Sequence, residues 1–216
     1  ESDQPLLNED VLLVCNGEIY NYKDLYKLFH EDTAKTDSDC EVILHLYREL
    51  GTKFLNMLDG VFSFALYDGN ENNFLVARDP IGVNPLYYAV SKDGGVCVAS
   101  EIKAIREWSS DVEIKIFPPG HFMTRNLEPQ RYYNPKWFLG ESIPKYNMEV
   151  SEENMCKKIR KSLTRSVEKR LMADVPFGVL LSGGLDSSLT SSIASKLVKE
   201  GKNKNWGNQL HSFSIG

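Results

Sequence analysis

Long apolar runs, paired cysteines and an excess of positive charge are all missing from this chain of 216 residues. No apolar stretch approaches the roughly 20 residues that a membrane-spanning helix needs, so no membrane span is expected. The four cysteines form no CxxC pair, which argues against a zinc site or a disulfide framework and indicates a reducing cytoplasm. The net charge of −5 argues against a general nucleic-acid or membrane-surface binder.

A glycine-rich stretch at residues 182–188 lacks both the lysine of a P-loop and the spacing of GxGxxG. It lies between an apolar run and a segment of helical periodicity, which predicts a strand, a tight loop and a helix. Gly183 and Gly184 let phosphate oxygens approach the backbone at a helix N-terminus, where Ser182 and Ser187 add hydroxyl donors. A carboxylate beside a phosphate requires a divalent cation between them, so Asp186 implies Mg²⁺ and a nucleotide.

The first half of the chain has the pattern of an antiparallel α+β domain. Residues 12–15 predict a strand that ends at a turn formed by Asn16 and Gly17. Ser38 and Glu41 have the spacing of a capping box and predict the start of a helix that continues to residue 50. From residue 58 the apolar period changes to two, and polar turns at 68–73 and 92–95 predict two β-hairpins.

Residues 134–150 are rich in proline, glycine and polar side chains, and we expect the domain boundary there. An amphipathic helix follows, and after it a βαβ unit that starts a parallel sheet. The chain begins at Glu1 without a methionine and ends directly after a predicted strand. We therefore expect a fragment of a longer protein, with further βα repeats after Gly216.

Four motifs of the first half match, in order, the class II glutamine amidotransferase domain: Asn16-Gly17-Glu18-Ile19-Tyr20-Asn21, Ser38-Asp39-Cys40-Glu41, Asp59-Gly60-Val61-Phe62-Ser63-Phe64-Ala65 and Ala77-Arg78-Asp79-Pro80-Ile81-Gly82. The later stretch matches the SGGxDS pyrophosphate loop of ATP pyrophosphatases. Together they resemble the glutamine-hydrolysing asparagine synthetase family over essentially the whole chain. The resemblance implies an α+β antiparallel sandwich of the N-terminal-nucleophile amidotransferase type over residues 1–140. It implies a partial α/β parallel-sheet domain of the ATP-pyrophosphatase type over residues 148–216.

The activity that the resemblance implies is a carbon–nitrogen ligase with two sites. One site hydrolyses glutamine to release ammonia, and the other uses Mg-ATP to convert aspartate to asparagine through a β-aspartyl-AMP intermediate. AMP is the leaving group because a free carboxylate has none that departs easily. The substrates are glutamine, aspartate and ATP, Mg²⁺ is the metal, and a homodimer is kept as a candidate assembly.

The resemblance also assigns roles to residues. Asn16 and Gly17 would form the oxyanion hole of the glutaminase site, and Glu18 and Asp39 would bind the glutamine head group. The ATP site would comprise Ser182, Gly183, Gly184, Asp186 and Ser187, with Asp186 on the magnesium ion. Leu180 and Ile215 match apolar contacts of the adenine ring, although ordinary strand core is an alternative reading for both.

One departure from the family concerns the nucleophile, an N-terminal cysteine whose own amino group acts as the base. Residue 1 is Glu, and Cys15 lies in a predicted strand, so we expect a buried thiol there. The arginine segment that binds the glutamine carboxylate in the family would also precede Glu1. The 216 residues are therefore predicted not to hydrolyse glutamine.

Two alternatives stay open on the sequence. A β-lactam synthetase has the same plan without a working glutaminase site, and the segment beyond Gly216 would distinguish it. A non-catalytic amidotransferase-like binding protein is the other, and Asp186 in its loop argues against it.

Overall fold

The computed structural model describes residues 3–29, 34–138, 140, 151–173, 175–202 and 209–215. The chain divides into two compact units, Glu1–Ile143 and Pro144–Gly216. The predicted boundary at residues 134–150 lies for the most part outside the described residues, and so does Gly216. No helix among the described residues has both the length and the apolar character that crossing a membrane requires.

The helices and strands follow one another along the chain as β1 Leu6–Asn8, β2 Val11–Ile19, α1 Tyr22–Tyr26, α2 Val42–Leu50, β3 Gly60–Asp68, β4 Asn73–Arg78, β5 Tyr87–Val90, β6 Val96–Ala99, α3 Ile102–Trp108, β7 Lys115–Ile116, β8 His121–Met123, β9 Gln130–Arg131, α4 Glu152–Lys169, β10 Gly178–Leu180, α5 Leu185–Lys199 and β11 His211–Phe213. Two 3-10 helices, Asp39–Glu41 and Gly51–Met57, flank α2.

A six-stranded antiparallel sheet with the order β1-β2-β3-β4-β8-β9 dominates the first unit. Strand β3 alternates in period two, so Phe62, Phe64 and Leu66 enter the core that α2 covers, whereas Ala65 packs into a second core on the opposite face. The second core lies between this sheet and a three-stranded sheet of order β6-β5-β7. Both predicted hairpins are confirmed, as β3–β4 and β5–β6.

The predicted turn at Asn16 and Gly17 is wrong, because both residues lie inside the long strand β2. Their partners on β3 are Ser63 and Phe62. A Cβ on Gly17 would lie 2.2 Å from the carbonyl oxygen of Val61, so glycine serves here to let a neighbouring strand approach. An Asn-Gly pair marks a turn only where both residues adopt turn dihedrals, and pairing with β3 prevents that.

The predicted capping box is also wrong. The Ser38 side chain makes no capping hydrogen bond. The Glu41 carboxylate instead accepts hydrogen bonds from the backbone N–H groups of Lys35 and Thr36 at 2.7 Å each and from the Thr36 hydroxyl. These donors precede the helix, so the carboxylate is used to hold the preceding segment and not to cap the helix.

The second unit contains the predicted βαβ arrangement. Strands β10 and β11 pair in parallel, with Leu180 opposite Phe213, and α5 connects them. Val167 of α4 and Leu171, just after the helix, pack with Ala194 and Leu197 of α5 in a small buried apolar core. The strand before the glycine-rich loop is short, and its carboxyl end leads directly into residues 181–184.

Candidate functional site

The main-chain groups of β2 around Asn16 are divided between its two edges. At Cys15 the N–H donates to Gln4 Oε1 at 2.7 Å and the C=O accepts from Gln4 Nε2 at 2.8 Å, so both groups face the β1 side. Main-chain groups of successive strand residues face opposite edges. The Gly17 N–H therefore lies on the same edge as Cys15, and the Asn16 carbonyl faces the β3 edge.

The carbonyl of Asn16 is held by a side chain from a distant loop. Asn84, which follows β4, donates from Nδ2 to the Asn16 oxygen at 2.6 Å. The Asn16 side chain is also held, because its Nδ2 donates to Ser100 Oγ at 3.1 Å. Ser100 directly follows β6, so residues from both sheets of the first unit converge on Asn16.

Asp39 is brought to the same segment by the short 3-10 helix before α2. The Ile19 N–H donates to Asp39 Oδ2 at 2.6 Å, and the neighbouring Cys40 thiol donates to the Gly17 carbonyl at 3.6 Å. Burial raises the pKa of the Asp39 carboxyl above its ordinary value, and the backbone N–H donors offset this only in part. Glu18 lies in the same stretch of β2 and is exposed. The structure thus brings together Asn16, Gly17, Glu18 and Asp39.

A buried carboxylate fixes the loop that carries Asn84. Asp79, only 1% exposed, accepts four backbone N–H groups: Ile81 at 2.9 Å and Gly82 at 2.7 Å on Oδ1, Phe62 at 3.3 Å and Val83 at 3.1 Å on Oδ2. The carboxylate thus holds the turn at residues 81–83 and ties it to β3 through the Phe62 N–H.

The adjacent arginine completes this loop with carbonyl acceptors. Arg78 is buried and donates to the carbonyls of Asn84 at 2.9 Å, Phe117 at 2.7 Å and Gly82 at 2.9 Å. The backbone of Asn84 is therefore anchored independently of its side chain. We infer that Arg78 and Asp79 act structurally, by placing Asn84 beside β2.

None of the three cysteines of the first unit is arranged as an activated nucleophile. Cys15 and Cys40 are buried, and Cys15 is the buried strand thiol that the sequence predicts. The neighbouring Cys15 thiol and burial raise the pKa of the Cys40 thiol, and burial raises the pKa of Cys97. A raised pKa lowers the thiolate fraction, and the thiolate is the reactive form.

The glycine-rich loop of the second unit leads into the N-terminus of α5. Gly183 has φ +80°, and a Cβ there would meet nothing within 4 Å, while Gly184 precedes the first residue of α5. Ser182 Oγ lies 2.9 Å from Ser187 Oγ, which also donates to the Gly184 carbonyl at 3.2 Å. The exposed Asp186 occupies the first turn of α5. Open space and a helix N-terminus suit a pyrophosphate, to which the two hydroxyls can donate once they turn from their present acceptors, and the Asp186 carboxylate suits Mg²⁺.

Leu180 and Ile215 lie near the carboxyl ends of the adjacent parallel strands β10 and β11. Leu180 is 82% exposed and Ile215 is fully exposed, so the reading of both as strand core is wrong for the described residues. The carboxyl ends of parallel strands are where ligands bind in open α/β sheets. Both side chains therefore present apolar surface to solvent near these strand ends.

The sequence does not indicate that Asn84 and Ser100 contact Asn16. It also does not indicate that Asp79 fixes the loop that carries Asn84. Asn84 and Asn16 are 68 residues apart, and no local pattern marks their contact. The Asn-Pro dipeptide at 84 and 85 indicates a loop but not its destination.

Family models match most of the chain. The model described as a glutamine amidotransferase domain matches residues 1–134, and the model described as asparagine synthase matches residues 158–216. Glutamine-hydrolyzing asparagine synthetase 1 of Arabidopsis thaliana is 49% identical over 218 residues, which cover 99% of this chain and 36% of that protein. The corresponding protein of Sandersonia aurantiaca is 48% identical over 219 residues, covering 99% and 40%. The chain thus spans little more than a third of the length of these relatives.

Solved structures agree on the fold. Glutamine phosphoribosylpyrophosphate amidotransferase from B. subtilis, complexed with ADP and GMP, superposes with a TM-score of 0.51 at 22% identity, covering 89% of this chain and 47% of that one. This similarity concerns the fold alone. By the family match over residues 1–134, the chain belongs to the glutamine amidotransferase domain family, and its residues 158–216 match asparagine synthase.

Proposed function

We propose that the protein is a cytoplasmic glutamine-hydrolysing asparagine synthetase. Residues 1–140 would be its type 2 glutamine amidotransferase domain, and residues 148–216 the start of its ATP-pyrophosphatase domain. The observation that carries the proposal is the position of Asp39. Its carboxylate accepts a hydrogen bond from the Ile19 N–H, which places it next to the strand segment of Asn16, Gly17 and Glu18. A carboxylate for the glutamine head group, beside a strand segment that carries two oxyanion donors, is the binding part of a glutaminase site.

In the glutaminase site, Asn16 Nδ2 and the Gly17 N–H would donate to the oxyanion that forms on the glutamine side-chain carbonyl. Such donors stabilise the transition state more than the ground state, and loss of one typically costs about 3 kcal/mol. Burial of Cys15 and Cys40 supports the further proposal that residues 1–216 alone lack glutaminase activity. Incubation of this chain with glutamine should release no glutamate above background.

Asp39 and Glu18 would bind the α-ammonium group of glutamine. Because burial raises the Asp39 pKa, the carboxyl becomes protonated at a higher pH than an exposed aspartate. A protonated carboxyl no longer balances an ammonium charge, so KM for glutamine should rise as the pH falls through this pKa. The variant Asp39→Asn should have a high KM that no longer depends on this titration.

In the synthetase site, Ser182, Gly183, Gly184 and Ser187 would hold the pyrophosphate portion of ATP, with Leu180 and Ile215 against the adenine. Asp186 would hold Mg²⁺, which when bound neutralises phosphate charge. The backbone N–H groups at the start of α5 would orient the phosphates so that the α-phosphorus faces the aspartate carboxylate.

The test uses the intact protein that contains these residues, with aspartate, Mg-ATP and either glutamine or ammonia. Asp186→Ala should abolish asparagine and pyrophosphate formation from both nitrogen donors while glutamate release continues. Glu200→Ala, an exposed acid at the other end of α5, is the matched control and should retain synthesis. Equal loss of both activities in Asp186→Ala, or absence of asparagine with the unaltered protein, would refute the proposal.

A further inference from the structure

We propose that Asn84 and Ser100 are positioning residues for the two oxyanion donors, and this inference rests on the glutaminase function proposed above. Asn84 would orient and polarise the peptide whose N–H belongs to Gly17. Ser100 would fix the rotation of the Asn16 side-chain amide. Neither residue would touch glutamine.

The action of Asn84 follows from the geometry of a single peptide unit. The carbonyl of Asn16 and the N–H of Gly17 belong to the same peptide bond, and in a trans peptide they point in opposite directions. Asn84 Nδ2 lies on the β3 side of β2 and donates to that carbonyl at 2.6 Å. The Gly17 N–H therefore points outward from the opposite edge of β2. A hydrogen bond to a peptide oxygen draws electron density from the nitrogen, which strengthens the N–H donor cooperatively by about 10–30%.

The action of Ser100 follows from the two donors of a primary amide. Asn16 Nδ2 carries two N–H groups. Ser100 Oγ accepts one of them at 3.1 Å, which leaves the second for the oxyanion. In this orientation the nitrogen lies at the site, whereas a flipped amide would present its oxygen and repel the developing negative charge.

The side chain of Asn84 can be changed without removing the supports of its loop. The Asn84 carbonyl accepts from Arg78 Nε at 2.9 Å and from Ser63 Oγ at 3.3 Å. Both bonds end on the backbone carbonyl, which every residue type at position 84 retains. A substitution there therefore reports on the bond to the Asn16 carbonyl and not on folding of the loop.

Steady-state glutamine hydrolysis by the intact protein is the first measurement. Asn84→Ala and Ser100→Ala should each lower kcat about tenfold, the equivalent of one ordinary hydrogen bond, with KM for glutamine nearly constant. Asn84→Asp keeps the shape but places an acceptor against the carbonyl, so it should lower kcat at least as far. Ser100→Thr keeps the hydroxyl and should restore most of the activity. Asn56→Ala, at an exposed asparagine of the same unit, is the matched control.

A second measurement does not need glutaminase activity. Asn16 and Gly17 form the only Asn-Gly dipeptide in the 216 residues, so ¹³C-carbonyl asparagine with ¹⁵N-glycine labels this one peptide in the chain. Asn84→Ala should move its amide proton and carbonyl carbon signals upfield, and Asn56→Ala should not.

Unchanged shifts in Asn84→Ala would overturn the proposal, as would an unchanged kcat or a rise in KM alone. If the unaltered intact protein hydrolyses no glutamine, the proposed function fails. The shift measurement then still decides whether Asn84 polarises this peptide.

Discussion

Replacement of Asp79 by asparagine should destabilise the first unit strongly, although the two side chains have nearly the same shape. The carboxylate accepts two N–H groups on each oxygen. An amide has only one acceptor oxygen. Asp79→Asn can therefore keep the hydrogen bonds from Ile81 and Gly82 only if its NH₂ group faces the N–H groups of Phe62 and Val83. Each buried donor left without an acceptor costs about 1–3 kcal/mol, which gives a loss of about 2–6 kcal/mol.

Asp68→Asn provides a control of the same chemistry at a similarly buried site. Asp68 is 7% exposed and accepts the N–H groups of Asn70 and Glu71 at 3.0 and 3.2 Å, both on Oδ1. An asparagine can keep both bonds on its single oxygen. The Tyr47 hydroxyl, whose pKa is raised by burial and by this carboxylate, lies close enough to accept from the new NH₂ group. The loss in unfolding free energy should therefore stay below about 1 kcal/mol.

Equilibrium urea unfolding, followed by far-ultraviolet circular dichroism, measures both losses. Asp79→Asn should show a midpoint well below that of Asp68→Asn with a similar dependence on urea. Losses that agree within about 1 kcal/mol would show that the four N–H groups around Asp79 find other partners, and the reasoning would be refuted.

Three further predictions compare buried groups of the first unit with exposed ones or with altered side chains. Gly17→Ala should lower the unfolding free energy by about 3 kcal/mol, because its Cβ would lie 2.2 Å from the Val61 carbonyl oxygen. In Gly69→Ala the new Cβ would lie 3.2 Å from its nearest neighbour, so the loss should stay below about 1 kcal/mol. Urea unfolding of the two variants measures both losses. Burial raises the Glu41 pKa, but hydrogen bonds outweigh it and hold the pKa below its ordinary 4.5. The stability that the Glu41 carboxylate adds to the folded state is complete above pH 4.5 and is lost as the pH falls through the lowered pKa. The free energy of unfolding of Glu41→Gln should therefore depend less on pH in this acidic range. Iodoacetamide followed by mass spectrometry should modify exposed Cys156 in the folded protein and buried Cys40 only after unfolding.

Local patterns were sufficient to predict much of the fold. Alternating apolar residues predicted the β3–β4 hairpin, and helical periodicity predicted α2, because each pattern reflects burial of one face of one element. The Asn-Gly turn failed because the reason for Gly17 is the backbone of β3, about 45 residues later in the chain.

The candidate site depended on information that no local pattern contains. Glu41 matched a capping box by spacing, but its carboxylate is used by the segment before the helix. In the sequence, resemblance alone points to Asp39, and only the fold shows its contact with the Ile19 N–H. Asn84 and Ser100 carry no signal in the sequence, because a side chain that binds a distant carbonyl or amide leaves no periodicity.

The close approach of β3 to Gly17 affects how related sequences should be interpreted. A glycine that is required for strand pairing will persist in proteins of this fold that have lost glutamine hydrolysis, because its removal damages the sheet whether or not the site is used. Its presence is therefore poor evidence of activity. Asn16 and Asp39 face no such steric demand, so their identity is the better criterion for separating working sites from silent ones.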